Sequence, residues 1–298
     1  SLAKTAHFGS QILKNDVSEI SIMTGGYFTI GTNQGTLPTP FDDNCNLTFG
    51  HPYALTSYPV LSVDGTWKKL DQWFQDWSLI SPQTDAGHLF VQGQYQDKLQ
   101  IEFVLHPTDA GRAVDITFSV KNIDIVPHAL GLGLVYDAAL GQWEDGQLFL
   151  DGQLIRRVGN YGEDHIKNQI EIWERQAAPR GMGVSLDLNS TWPDELIVAN
   201  WENIYGETLP SFTPIDVPEL YDLCLKLVWS EREIQPQESR NYRVTLRLLQ
   251  PDFSSQAFMR WDLPSAFSIE NEQLFPKNIN STVRVMNTQN SDLSNMNL

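Results

Sequence analysis

The amino-acid sequence predicts an all-β protein: a large antiparallel β-sandwich with at most one or two short helices. Apolar residues alternate with polar ones three times in succession, as Leu99, Ile101, Phe103 and Leu105, then Val114, Ile116, Phe118 and Val120, then Leu130, Leu132, Leu134 and Tyr136. A period of two sends one set of side chains to one face of a sheet. The pattern returns at Leu223, Leu225, Leu227 and Trp229 and at Tyr242, Val244, Leu246 and Leu248. Asp64-Gly65 and Asp151-Gly152 supply the third sign, because both residue types tolerate the positive φ that tight hairpin turns demand.

In chain order, 17–23 (VSEISIM) reads as a short strand, and 27–30 and 58–63 as β runs among Gly, Pro, Asn and Asp clusters that make turns. Trp67, Leu70, Phe74 and Trp77 lie at helical spacing, which predicts an amphipathic helix over 67–77 covering an end or edge of a sheet. The breaks PTDAG and NIDIVPH are short, so the three runs from 99 to 136 read as a meander of antiparallel neighbours. Gly131 and Gly133 remove side chains from one face of the third run, and another group is expected to pack there. A compact hairpin is expected around Asp151-Gly152. Residues 169–174 read as a strand, although Ile166, Ile170 and Trp173 also fit a helix, and further strands fall at 183–188 and 196–200. The runs 223–229 and 242–248 read as a hairpin pair, with Trp229 in the core. From Lys277 onward the chain holds six Asn and few large apolar groups, a composition too poor to offset its ordering entropy. The expected organisation is one sandwich domain over 1–275 and a flexible Asn/Ser-rich tail or linker over 276–298.

Composition narrows the function classes. With 20 basic and 37 acidic residues the net charge is -17, and an anionic partner such as a nucleic-acid backbone is repelled on average. No apolar run reaches the length of a membrane span, so no membrane insertion is expected. Cys45 and Cys224 allow either one inter-strand disulfide or two free thiols. The chain opens on Ser1, and the expectation is that any signal peptide was removed ahead of it.

Four segments carry a resemblance: TGGYFTIGT at 24–32, DDNCNLTFGHPYALTSYPVLSVDG at 42–65, VKNIDIVPHALGLGLVYDAALG at 120–141 and YDLCLKLVWSEREIQPQESRNYRV at 221–244. Together they resemble a module of large bacterial extracellular proteins, over most of the first 250 residues. Gln237 stands where that module carries Gly, GLGL replaces its GLR, and Ala138 replaces its Thr. The resemblance implies a secreted or surface-displayed β-sandwich. The long meander and its V-x-N strand are also similar to the supersandwich of galactose-mutarotase-like domains, which bind sugars on a concave sheet. That similarity is one of fold and assigns no catalytic residue.

Candidate site residues follow from residue chemistry. Asp137, Glu144 and Asp145 flank the loop LGQWEDG and offer hard oxygen ligands; Ca²⁺ is the one cofactor they would suit, with Asp137, read as ending a strand, the first choice. Asp42, Asp43 and Asn44 form a second acidic loop, equally explained by turn hydrogen bonds. His51, with Tyr53, lies among turn residues and aromatics, where a histidine is either a base or a hydrogen-bonded structural group. Nine Trp include Trp143, Trp192 and Trp201 in loop-like surroundings, able to stack on a sugar ring or to fill the core. Glu171, Glu174, Asp194, Glu195 and Glu202 could supply the two carboxyls of a glycosidase, whose separation sequence does not give. No phosphate loop, nucleophile elbow or zinc spacing is present. The favoured function is a non-catalytic carbohydrate-binding or accessory module; the alternatives are a sugar-active enzyme, an epimerase, hydrolase or lyase, and a structural spacer or adhesin domain.

Overall fold

The computed structural model describes residues 9–37, 41–73, 82–85, 87–141, 146–162, 166, 169–175, 177–178, 181–188, 191–204, 219–250, 257–262, 268–270, 273–275 and 282–287. The chain begins with β1 (Ser10–Lys14), β2 (Ser18–Met23), β3 (Phe28–Thr32), β4 (Asn46–Thr48), β5 (Tyr58–Val63), β6 (Thr66–Lys69) and a single helical turn, α1 (Leu70–Trp73). It continues with β7 (Gln83–Asp85), β8 (His88–Tyr95), β9 (Leu99–Thr108), β10 (Ala113–Asn122), β11 (His128–Gly141), β12 (Gly146–Leu150), β13 (Gln153–Ile155), β14 (Gly159–Gly162), β15 (Ile170–Glu174), β16 (Ala177–Ala178), β17 (Gly183–Asp187) and β18 (Glu195–Asn200). A second helical turn, α2 (Trp201–Ile204), precedes β19 (Leu223–Ile234), β20 (Ser239–Leu249), β21 (Ala257–Asp262), β22 (Ser268–Glu270), β23 (Gln273–Phe275) and β24 (Thr282–Asn287).

Two antiparallel sheets make the sandwich. One runs β1-β2-β3-β4-β11-β19-β18-β14, with β5 and β6 extending beside β11; the other runs β13-β12-β15-β17-β20-β10-β9-β8-β7. The alternating residues meet between them: Phe28 of the first sheet packs on Phe103 of the second at 5.6 Å, and Phe103 on Phe118 at 6.3 Å. Leu130, Leu132, Leu134, Tyr136, Leu225 and Leu227 fill the same core. Burial of so many apolar side chains is the main stabilising term. Both Asp-Gly turns form as expected, with positive φ at Asp64, Gly65, Asp151 and Gly152. Cys45 and Cys224 are free and buried, and burial pushes the Cys45 thiol up to about 11.

Strand positions match expectation better than strand partners. β9 and β10 do pair, but β11, the third run of the expected meander, crosses to the other sheet and pairs with β19. The expected hairpin of 223–229 and 242–248 is likewise split, since β19 lies in the first sheet and β20 pairs with β10 and β17 in the second. Both crossovers lie together and Asn122 clasps them: its Nδ2 donates to Val126 O at 2.8 Å and to Ile234 O at 3.1 Å, and its Oδ1 accepts from Asp124 N at 2.9 Å. Gln237, at the place where Gly was noted in the resembling module, has φ +64°.

β11 is buried on both faces because the first sheet carries a second apolar layer outside, with Met23, Tyr58, Val60, Val135, Ile197 and Val228. Trp67 belongs to this layer and to β6 rather than to a helix; only 70–73 of the expected helix are helical among the described residues. Its ring covers Gly131, where a Cβ would come within 3.0 Å of Trp67 Cη2, which identifies the group expected against that glycine-bearing face. Within the stretch read as a tail, Thr282–Asn287 forms β24 and pairs with β21. The cross-strand partner offsets an ordering entropy that the composition of this stretch alone does not. Arg260 on β21 ties this small sheet to β15: its Nε lies 2.5 Å from Glu174 Oε1 and its Nη2 donates to Glu174 Oε2 at 2.8 Å.

Candidate functional site

The outward face of the nine-stranded sheet carries a groove lined by hydrogen-bonding side chains. Where β9, β10 and β20 lie side by side, alternation sends Leu105, Ile116 and Val244 into the core and leaves His106, Asp115, Thr117 and Arg243 outside. Register sets Asp115 opposite both His106 and Thr245, Thr117 opposite Arg243, and Ser119 opposite Asn241. His106, Asp115, Thr117, Ser119, Asn241 and Arg243, with Val104, Thr108 and Thr191, line a groove of about 530 Å³.

Asp115 organises the groove. It is only 8% exposed; its Oδ2 accepts from Arg243 Nη2 at 2.5 Å and its Oδ1 from Thr245 Oγ1 at 2.6 Å. The carboxylate is thereby satisfied, and the guanidinium is held at one edge in a charge-assisted bond. Thr191 stands where β17 has ended, and its Oγ1 accepts from Arg243 N at 2.9 Å, fixing the backbone of the same residue. His106 stacks on His88 with ring centres 5.4 Å apart.

A second hollow of about 400 Å³ adjoins the groove and shares Thr191 and Asn241 with it. Trp192, Trp229, Tyr242, Asp194, Arg232 and Arg240 contribute to its walls. Trp229 Nε1 donates to Thr191 O at 3.0 Å, and Asp194 accepts from Ser230 N at 2.7 Å and from Arg232 Nη2 at 2.8 Å. Burial raises the Tyr242 phenol above its ordinary pKa, so the hydroxyl is neutral.

Of the residues singled out in the sequence, Trp192 lines this hollow, and neither lining includes His51, Tyr53 or Trp201. His51 is packed against the ten-stranded sheet. Its Nδ1 meets Thr29 Oγ1 at 2.9 Å, its Nε2 lies 3.6 Å from Glu19, and its ring sits where a Cβ on Gly31 would clash at 2.5 Å. Burial lowers its pKa, against the raising pull of Glu19, so this is a neutral structural histidine. Tyr53 is 64% exposed. Trp201 begins α2 and packs, half-buried, on the outer apolar layer. Asp137 does not end a strand, because β11 runs on to Gly141; it is 2% exposed, its N–H donates to Ser57 Oγ at 3.0 Å, and its charge adds to burial in raising Tyr136 and Cys224. Trp143, Glu144 and Asp145 lie outside the described residues. Among the described residues no three His, Cys, Asp or Glu side chains gather as a metal site.

The groove residues were missed as a site because each looked like the polar half of an alternating strand. Asp115, Thr117 and Ser119 on one run and Arg243, Thr245 and Arg247 on another read as the polar half expected of any solvated strand face, and only the register brings them together.

No protein-family model matches the chain, and no curated protein matches it. Solved structures do. They include a putative aldose 1-epimerase from Escherichia coli K12, with 13% identity over 81% of this chain and 100% of that one and a TM-score of 0.45. A galactose mutarotase-like protein from Lactobacillus casei has 10% identity over 81% and 100%, with a TM-score of 0.43. An aldose epimerase homologue from C. elegans has 8% identity over 82% and 99%, with a TM-score of 0.44. The chain is similar to galactose-mutarotase-like proteins at the level of the antiparallel sandwich. Among the described residues no helix is long and apolar enough to cross a membrane.

Proposed function

We propose that the chain is a carbohydrate-binding or accessory module, secreted or surface-displayed, whose ligand lies in the groove on β9, β10 and β20. The observation that carries this reading is the fixed set of Asp115, Arg243, Thr117, Ser119 and Asn241 on one rigid sheet face, beside a hollow walled by Trp192. Such a surface offers directed donors and acceptors to vicinal hydroxyls, with an aromatic ring close by for a sugar face. The extracellular setting draws on the resemblance of the four segments to bacterial extracellular modules. The non-catalytic reading draws on Asp115, which is spent on Arg243 and Thr245, whereas a general acid or base needs a carboxyl poised to exchange a proton with substrate.

Calorimetric titration with a panel of neutral and acidic mono- and oligosaccharides tests it. Saturable binding to at least one sugar, lost in Asn241→Ala with the fold retained, is expected; no binding to any sugar overturns it. Running each titration in Ca²⁺ and in EDTA tests the calcium proposal at Asp137, Glu144 and Asp145. A metal held there gives an Asp137→Asn penalty in Ca²⁺ only, and an equal penalty in both buffers refutes it.

A further inference from the structure

Resting on that reading, we infer that the groove selects a saccharide carrying a carboxylate, a uronic acid, with Arg243 as the specificity-determining residue. The whole chain is strongly acidic, at 20 basic against 37 acidic residues, yet the groove and its adjoining hollow are lined by Arg232, Arg240 and Arg243 against Asp115 and Asp194. Both aspartates are already satisfied. Asp115 binds Arg243 and Thr245, and Asp194 binds Ser230 N and Arg232. Arg240 is also committed, through Nη1 to Arg232 O and Nη2 to Glu233 O, both at 3.1 Å.

Arg243 is different. Only its Nη2 is engaged, its side chain is 50% exposed, and among the described residues Nε and Nη1 have no protein partner. A guanidinium anchored at one corner by a nearly buried carboxylate has lost little freedom still to lose. The contact with Asp115 uses one of the two N–H groups of Nη2, and the other, together with Nη1 or Nε, leaves a planar fork that fits the two oxygens of a carboxylate. Thr117, opposite Arg243, and Asn241 and Ser119, one step along the face, supply uncharged partners for the ring hydroxyls beside that carboxylate. Glu102, opposite Ser119, confines the anionic group to the Arg243 end.

The test compares galacturonic acid with its methyl ester, the same sugar with its single charge removed, on the intact chain. At least about tenfold tighter binding of the acid is expected, the size of one charge-assisted bidentate contact, with the preference shrinking as NaCl rises. Arg243→Lys, which keeps the charge but not the fork, is expected to lose most of the preference. Equal binding of acid and ester overturns the uronate inference and leaves the carbohydrate reading standing. Binding of a sugar phosphate but of no uronate also overturns it, and binding of nothing in either panel overturns both.

Discussion

Asn122 is completely buried, and replacing it by Ala would test how the two sheets are joined. The substitution removes the donors to Val126 O and Ile234 O and the acceptor for Asp124 N. The contact with Ile234 O is buried, so that carbonyl is left without a partner, at about 1–3 kcal/mol. Val126 O and Asp124 N are in part-buried contacts and water can reach them, so each loss is nearer ~1 kcal/mol. The sum is about 3–5 kcal/mol, or a fall in Tm of roughly 6–10 °C at ~2 °C per kcal/mol for a domain of this size. Urea unfolding followed by tryptophan fluorescence reads the loss. Asn122→Asp, which keeps the acceptor, is the control for the Asp124 contact. A loss under about 1 kcal/mol for Asn122→Ala would refute the clasp, because the buried Ile234 carbonyl left unpaired costs at least about that much alone.

Other perturbations follow from single contacts. Arg260→Met leaves Glu174 buried without its cation and should cost about 3–5 kcal/mol, while Arg260→Met with Glu174→Met should recover most of it; a double-mutant cycle in thermal denaturation measures the difference. Gly131→Ala places a Cβ 3.0 Å from both Trp229 O and the Trp67 ring, and should cost about 1–3 kcal/mol with a shift in tryptophan emission. His128 lies between Asp64 Oδ2 at 2.7 Å and Asp124 Oδ2 at 3.1 Å; burial alone would lower its pKa, and the two carboxylates overcome that and raise it. Its stabilising contribution is therefore fully present below pH ~6.5 and fades as pH rises through the raised value, so His128→Asn should flatten the loss of stability as pH rises above ~6.5. His51 has the opposite sign: its folded pKa is lowered, the unfolded chain takes up the proton first, and stability falls as pH drops below ~6.5. His51→Gln should reduce that acid-side slope in chemical denaturation measured at pH 7 and pH 5.

The sequence exposes strands more readily than partners for a definite physical reason. Alternation at Val114–Val120 and Leu130–Tyr136 reports which side chains face a core, and in a sandwich both sheets face the same core. A chain that turns back within its sheet and one that crosses to the other sheet therefore share one hydrophobic pattern. What separates them is polar. Asn122 at the end of β10 and its bonds to both crossovers mark the crossing, and an Asn read only as turn composition does not reveal that its amide is buried. The helix expected over 67–77 is found in part: Leu70–Trp73 forms α1, Phe74 and Trp77 lie outside the described residues, and Trp67 has a better place over Gly131 as part of β6.

The same logic explains which candidate residues proved structural. His51 and Trp201 attracted notice as chemically capable groups in apparent loops, and each was taken into packing, because a turn-rich stretch between strands still lies against a sheet face. Asp115 and Arg243 went unremarked inside regular strands, where their identities matched the solvent half of the pattern. Yet a regular sheet is the better place for a recognition surface, since ladder bonds hold adjacent side chains at fixed spacing without further ordering cost. Asp115 serves both ends at once. Satisfying it stabilises the β10–β20 pairing, and that satisfaction holds the Arg243 fork at one corner. Asp115→Asn should accordingly weaken uronate binding through a looser guanidinium more than it weakens the fold. Comparing the change in affinity with the change in unfolding free energy separates the two, and a loss of stability with uronate affinity unchanged would refute the anchoring role of Asp115.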